Sequence, residues 1–262
     1  MPEAFEAPFM QKALLESLLL AALAGMLGSW IVLRRLAFYT HGVGTAAFPG
    51  LVIAGPAGVA PQVTALAASL LYAGGVGGLR RRVASDAATG LALVGALALG
   101  VILASDVYET GAGVDRLLFG SLIGLSDRDL WLTAGVVALV AVLDLVLRRA
   151  WLAQGFDPTT ARALGVRPAL ADAVLMIAVA AAAVVALDAV GALLVTAVLV
   201  IPAATVRLVA TSVSGLQAGT AALAAVEGVA GLWLAYELNV GPGPVTAVLG
   251  GAVFAVVAVV RR

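Results

Sequence analysis

Long apolar runs separated by short polar or basic stretches set the pattern of this chain. They fall at about 13–33, 40–58, 59–79, 87–105, 129–147, 168–187, 189–206, 215–236 and 244–260. Most approach the ~20 residues a helix needs to cross the hydrocarbon core of a bilayer. The pattern predicts an all-α, polytopic membrane protein with about nine transmembrane helices. The second run is interrupted by Pro49, Gly50, Pro56 and Gly58. Irregular backbone at membrane depth is tolerated only against protein or a water-filled cavity, so that interruption itself marks a segment facing the interior. The opening MPEAFEAPFMQK has two glutamates and no early basic cluster, so 13–33 reads as a retained span and not a cleaved signal.

The polar breaks carry a second pattern. Arg34, Arg35, Arg80, Arg81, Arg82, Arg148, Arg149, Arg162, Arg167, Arg207, Arg261 and Arg262 all fall on one side if nine spans alternate. Lys12, Arg116 and Arg128 remain on the other, with Glu3, Glu6, Asp106, Glu109, Asp115, Asp127 and Asp129. Because basic loops stay cytoplasmic, this predicts an outside N-terminus and a cytoplasmic C-terminus. The whole chain, 1–262, reads as a single transmembrane domain with one long cytoplasmic connection at 150–167.

Composition agrees and narrows the chemistry. Residues are 63% hydrophobic and 11% charged, with a mean hydropathy of +1.11. A soluble domain carries roughly 25% charged residues. A net charge of zero argues against nucleic acid as a partner. With no Cys there is no disulfide framework and no thiolate metal site. No G-x-x-x-x-G-K-[ST] loop is present, and the single lysine is Lys12, so this chain binds no nucleotide of its own. H-E-x-x-H and G-x-S-x-G are also missing, which argues against an enzyme and against a resident cofactor.

A few residues remain as candidates for function. His41 is the sole histidine; it is either a helix-end residue beside Arg34 and Arg35 or a ligand on a substrate path. A site built on neutral imidazole would weaken below about pH 6.5. Glu227 lies mid-span, where a charge is costly and normally faces a bundle interior or cavity; the alternative is a neutral acid in a helix contact. Asp144 precedes Arg148 by one turn, a spacing that predicts a helix-end ion pair. Glu16 and Asp172 fall near span ends, and Asp188 and Glu237 at the outer boundary. Pro202 predicts a kink in the seventh span, serving as packing or as a hinge. LFGSLIG at 118–124 is either a re-entrant segment near a substrate entrance or an amphipathic loop. Within 150–167, Asp157 can cap a helix beginning at Pro158 and Gly165 can end it, giving a plain connector or a docking element.

Five stretches resemble the membrane permeases of the ABC-3 family, the ATP-binding-cassette importers for zinc and manganese. They are RRLAFYTHGVGTAAFPG (34–50), LLFGSLIGLSDRDL (117–130), FDPTTARALGV (156–166), VGALLVTAVLVIPAATVRL (190–208) and GLWLAYELNVGPGPV (231–245). The resemblance implies a type II importer-like permease in the bacterial plasma membrane. It implies a second copy of the chain, a cytoplasmic ABC ATPase that uses ATP, and an extracytoplasmic metal-binding protein. It also implies that 156–166, with Phe156, Asp157, Ala161 and Gly165, is the helix that couples to the ATPase.

One departure bears on the cargo. Where the family carries an Asp and a His four residues apart, this chain has His41 and Thr45. Manganese favours hard oxygen ligands, whereas imidazole suits zinc, copper or nickel. A site without an anionic pair also suits a less charged cargo, such as a metal chelate. The implied function is therefore ATP-driven import of a divalent metal ion or metal chelate, with His41, Thr45 and Glu227 as path residues. The competing reading is a secondary carrier or channel without an ATPase, which has no reason to keep a docking helix at 156–166.

Overall fold

The computed structural model describes residues 5–79, 85–107, 118, 120, 124–156 and 168–261. Among these residues the chain forms nine helices, in agreement with the hydropathy pattern. They are α1 (Pro8–Leu33), α2 (Ala37–Ala57), α3 (Pro61–Leu79) and α4 (Ser85–Ile102, continued by a π-helical turn Leu103–Val107). After these come α5 (Asp127–Phe156), α6 (Pro168–Val190), α7 (Val195–Arg207), α8 (Val213–Leu238) and α9 (Pro242–Val260). Among the described residues, α1, α5, α6, α8 and α9 are long and apolar enough to cross a membrane on their own. The apolar part of α4 and the 13-residue α7 are shorter.

The second run is not broken. It forms one helix of 21 residues that passes through Pro49 and ends at Gly58. Gly58 has a φ of +63°, the left-handed conformation that closes a helix at low cost when no Cβ is present. The Pro49–Gly50 pair is a close approach: a Cβ on Gly50 would lie 2.3 Å from the carbonyl oxygen of Thr64 on α3. Burial among neighbouring helices compensates the hydrogen bond that Pro49 removes. The interruption read from the sequence is thus a packing feature.

Side-chain contacts assign the helix ends to two sides of the bundle. At one end Lys12 pairs with Asp127 at 2.8 Å. There Gln62 also donates to Asp129 at 3.3 Å and to Asp188 at 3.1 Å. At the other end Arg34 bonds Gln154 and pairs with Asp172, Trp151 donates to the Ala171 carbonyl, and Arg148 donates to Ser214. The start of α1, the start of α3, the start of α5 and the end of α6 therefore share a side, and among the described residues Arg34 and Arg148 stand at the other.

One expectation is refined and one needs correction. The first residues of the 150–167 connection, through Phe156, are helical and prolong α5. Trp151 explains this, because its ring is fully buried edge-on against Trp30, with centroids 5.6 Å apart. Asp144 makes no ion pair with Arg148: it accepts from Trp30 Nε1 and from Gln217 Nε2 at 3.1 Å, linking α1, α5 and α8 in the interior. A buried carboxylate gains more from two donors already held by packing than from an exposed arginine one turn away.

Candidate functional site

The site is built on α2, which is held by its neighbours at successive turns. Tyr39 donates to the Met176 carbonyl on α6 at 3.2 Å. The Tyr72 hydroxyl lies where a Cβ on Gly42 would be, and donates to the Thr89 carbonyl on α4. Ser69 donates to the Val43 carbonyl at 3.1 Å. A Cβ on Gly44 would sit 3.2 Å from the Ala192 carbonyl, beside Val195 at the start of α7. Small residues at 42 and 44 let α3 and α7 approach the α2 backbone closely.

His41 stands in the middle of this frame and is half-buried. Its Nδ1 lies 3.3 Å from Oγ1 of Thr196 on α7. Thr45, one turn further along, is almost wholly buried, and its hydroxyl has no hydrogen-bond partner. Pro49 has no N–H to offer the carbonyl of Thr45, the residue four before it. One turn of α2 thus holds an imidazole, an unpartnered hydroxyl and a backbone carbonyl deprived of its helical donor. All three are neutral donors, two of them hard oxygens suited to a cation. Thr196 is the participant that reading the sequence passed over; its one signal was a polar residue inside the LLVTAVLVIP run.

Glu227 belongs elsewhere. It is buried on α8 beside a cavity of about 30 Å³ lined by Ser17, Ala197, Val198, Pro202 and Thr246. That volume has room for about one water. A Cβ on Gly250 would lie 3.2 Å from Glu227 Oε2, and Oε1 has no protein partner. At 100° per residue, Val198 and Pro202 lie on a different face of α7 from Thr196. The structure brings His41, Thr45 and Thr196 together and leaves Glu227 behind α7.

Glu16 is a second buried acid, on α1, accepting from Thr133 at 2.9 Å. Among the described residues no group of three or more His, Asp or Glu side chains is placed to hold a metal ion. Of the coupling residues, Phe156 ends α5, while Asp157, Ala161 and Gly165 lie outside the described residues. Most of 118–124 does too, although the Leu118 carbonyl accepts from Leu193 N–H at 3.1 Å.

This arrangement has known relatives. The model of the ABC 3 transport family matches residues 6–261, nearly the whole chain. The chain belongs to the ABC 3 transport family. It is 32% identical over 248 residues to the manganese import system permease protein ScaB of Streptococcus parasanguinis, covering 94% of this chain and 88% of that one. It is 29% identical over 249 residues to the manganese transport system membrane protein MntC of Halalkalibacterium halodurans, covering 94% and 85%. Among solved structures, PsaBC from Streptococcus pneumoniae in complex with Fab superposes with a TM-score of 0.90 at 27% identity. That match covers 98% of this chain and 93% of that one. As an ABC 3 protein the chain is a multi-pass membrane permease, and its described residues form nine helices.

Proposed function

We propose that this chain is the membrane permease subunit of an ATP-driven importer in the plasma membrane, carrying a divalent metal ion of the zinc or manganese class or its chelate. The match to the ABC 3 transport family over 6–261, with manganese import relatives at about this length, carries the reading. The site supports it from below. The His41–Thr45 turn offers oxygen and imidazole donors on a helix enclosed by protein, and Phe38, one turn before His41, is 46% exposed in the single chain. A second copy facing that side of α2 would duplicate the donors and enclose them, so that two weak neutral sets act together.

The remaining assignments follow from this role. The end of the bundle carrying Arg34, Arg148 and Arg207 is cytoplasmic, which puts the N-terminus outside and the C-terminus inside. A separate cytoplasmic ABC ATPase binds and hydrolyses ATP, and an extracytoplasmic metal-binding protein delivers the cargo. The segment 150–167, with Phe156, Asp157, Ala161 and Gly165, receives the ATPase's motion. It begins within the last turns of α5 and runs to the start of α6, and α6 holds α2 through the Tyr39 bond two residues before His41. Motion at that segment therefore has a short physical route to the site.

Purification of the tagged chain in mild detergent tests the reading. An ABC-type ATPase should co-purify and be lost when Asp157 or Gly165 is disrupted. A homogeneous preparation that moves manganese or zinc without nucleotide would replace the importer with a free-standing carrier.

A further inference from the structure

A second cavity, of about 190 Å³, opens between the arginine-bearing ends of α1, α5 and α7, and no residue of the His41 turn is named in its lining. Its walls include Trp30, Leu33, Arg34, Trp151, Leu152 and Arg207. We propose that it is a site for a phosphate group, filled by the headgroup of an anionic phospholipid.

The two guanidiniums are held differently. Arg34 is largely buried and fixed by Gln154 and Asp172, so its charge is offset by a carboxylate. Arg207 is exposed and, among the described residues, makes no hydrogen bond or ion pair, so none of them offsets its positive charge at the cavity wall. A guanidinium presents a fork of donors matched to phosphate oxygens, and it prefers a paired state when it lines a partly desolvated cavity.

Arg207 also borders a smaller cavity of about 110 Å³ lined by Thr211 and Ser212, so hydroxyls stand on its other side. The Thr211 hydroxyl suits the polar part of a headgroup such as glycerol, while the Ser212 hydroxyl caps α8 by accepting from the Gly215 N–H at 3.1 Å.

Apolar groups favour a lipid over a soluble anion or an acidic protein surface. Trp30, Leu33, Trp151 and Leu152 line the cavity beside the arginines, and Leu208 and Val209, directly after Arg207, are 42% and 43% exposed. A basic group between an apolar wall and exposed aliphatic residues matches the boundary of headgroup and acyl chain, where clustered arginines attract anionic lipid.

The test uses the full-length chain in detergent, together with its ATPase where the two co-purify, after delipidation. Phosphatidylglycerol, phosphatidylcholine and inorganic phosphate are titrated at matched ionic strength, reading retained lipid by native mass spectrometry and stabilisation by thermal melting. Phosphatidylglycerol should bind saturably and raise the melting temperature, with phosphatidylcholine and inorganic phosphate much weaker. Arg207→Gln should weaken the phosphatidylglycerol effect about tenfold, and Arg207→Lys less, as expected for loss of a charge-assisted bond. Equal retention of phosphatidylglycerol by Arg207→Gln and the natural chain would overturn the site. Inorganic phosphate matching phosphatidylglycerol would overturn the lipid assignment in favour of a free anion. Loss of the ATPase from Arg207→Gln with lipid binding unchanged would instead assign Arg207 to that interface and overturn the proposal.

Discussion

Gly28 faces the backbone of another helix more closely than any other described glycine, and Gly28→Ala tests whether the contact between α1 and α7 is as close as the structure has it. A Cβ there would lie 2.1 Å from the Leu199 carbonyl oxygen and 3.3 Å from Ala203 Cβ. An ordinary C···O contact is about 3.3 Å, so one helix must retreat by roughly 1 Å. The obstructing atom is backbone and no rotamer can relieve it, which places the cost near the upper end of the ~1–3 kcal/mol typical of overpacking. Replacing Gly by Ala within a helix returns up to ~1 kcal/mol, leaving a net loss of about 2 kcal/mol. The control is Gly135→Ala on the exposed side of α5, where a Cβ would meet nothing within 4 Å; it should gain up to ~1 kcal/mol. At about 2–4 °C per kcal/mol for a chain this size, Gly28→Ala should melt about 4–8 °C lower than the natural protein. Tryptophan fluorescence in detergent would follow both, since Trp30 lies two residues from Gly28. A Gly28→Ala protein that melts with Gly135→Ala would refute the close approach.

Further consequences can be measured in the same preparation. Asp144→Ala should cost about 3 kcal/mol, because Trp30 and Gln217 lose their shared acceptor inside the bundle; Asp144→Asn, which keeps an acceptor, should lose much less. Chemical or thermal denaturation ranks the pair, and equal loss in both would show that the charge outweighs the hydrogen bonds. Thr196→Val preserves shape and removes the partner of His41; metal uptake should need about fivefold more substrate with assembly unchanged. Tyr39→Phe cuts the bond from α2 to α6 and should lower metal transported per ATP consumed, measured as the ratio of uptake to ATPase activity. An unchanged ratio would remove that bond from the coupling route.

The sequence made the spans readable because hydropathy and arginine placement are independent signals that agreed. Among the described residues the nine apolar runs became nine helices, and the ends that gather Arg34, Arg148 and Arg207 lie together. Pro49 and Gly50 marked a segment packed against protein, and in the structure the pair is a close-packing device between α3 and α4. Asp144 was misread. Spacing along one helix points to Arg148, whereas the partners Trp30 and Gln217 come from helices more than 70 residues away in sequence. At the site, His41 and Thr45 were legible as one helix face. Thr196 was not, since its role depends on how α7 crosses α2, and no periodicity encodes that crossing. Glu227 was legible as a buried acid, but its separation from His41 by the thickness of α7 exists only in three dimensions.

The central claim is ATP-driven metal import through the turn of α2 that holds His41. Uptake of radioactive manganese and zinc into liposomes carrying the chain and its co-purified ATPase, with the external binding protein added, tests it most directly. Uptake should require ATP and be abolished by His41→Ala, while the bound ATPase is retained. Uptake that proceeds without ATP, or that is undiminished in His41→Ala, would contradict it.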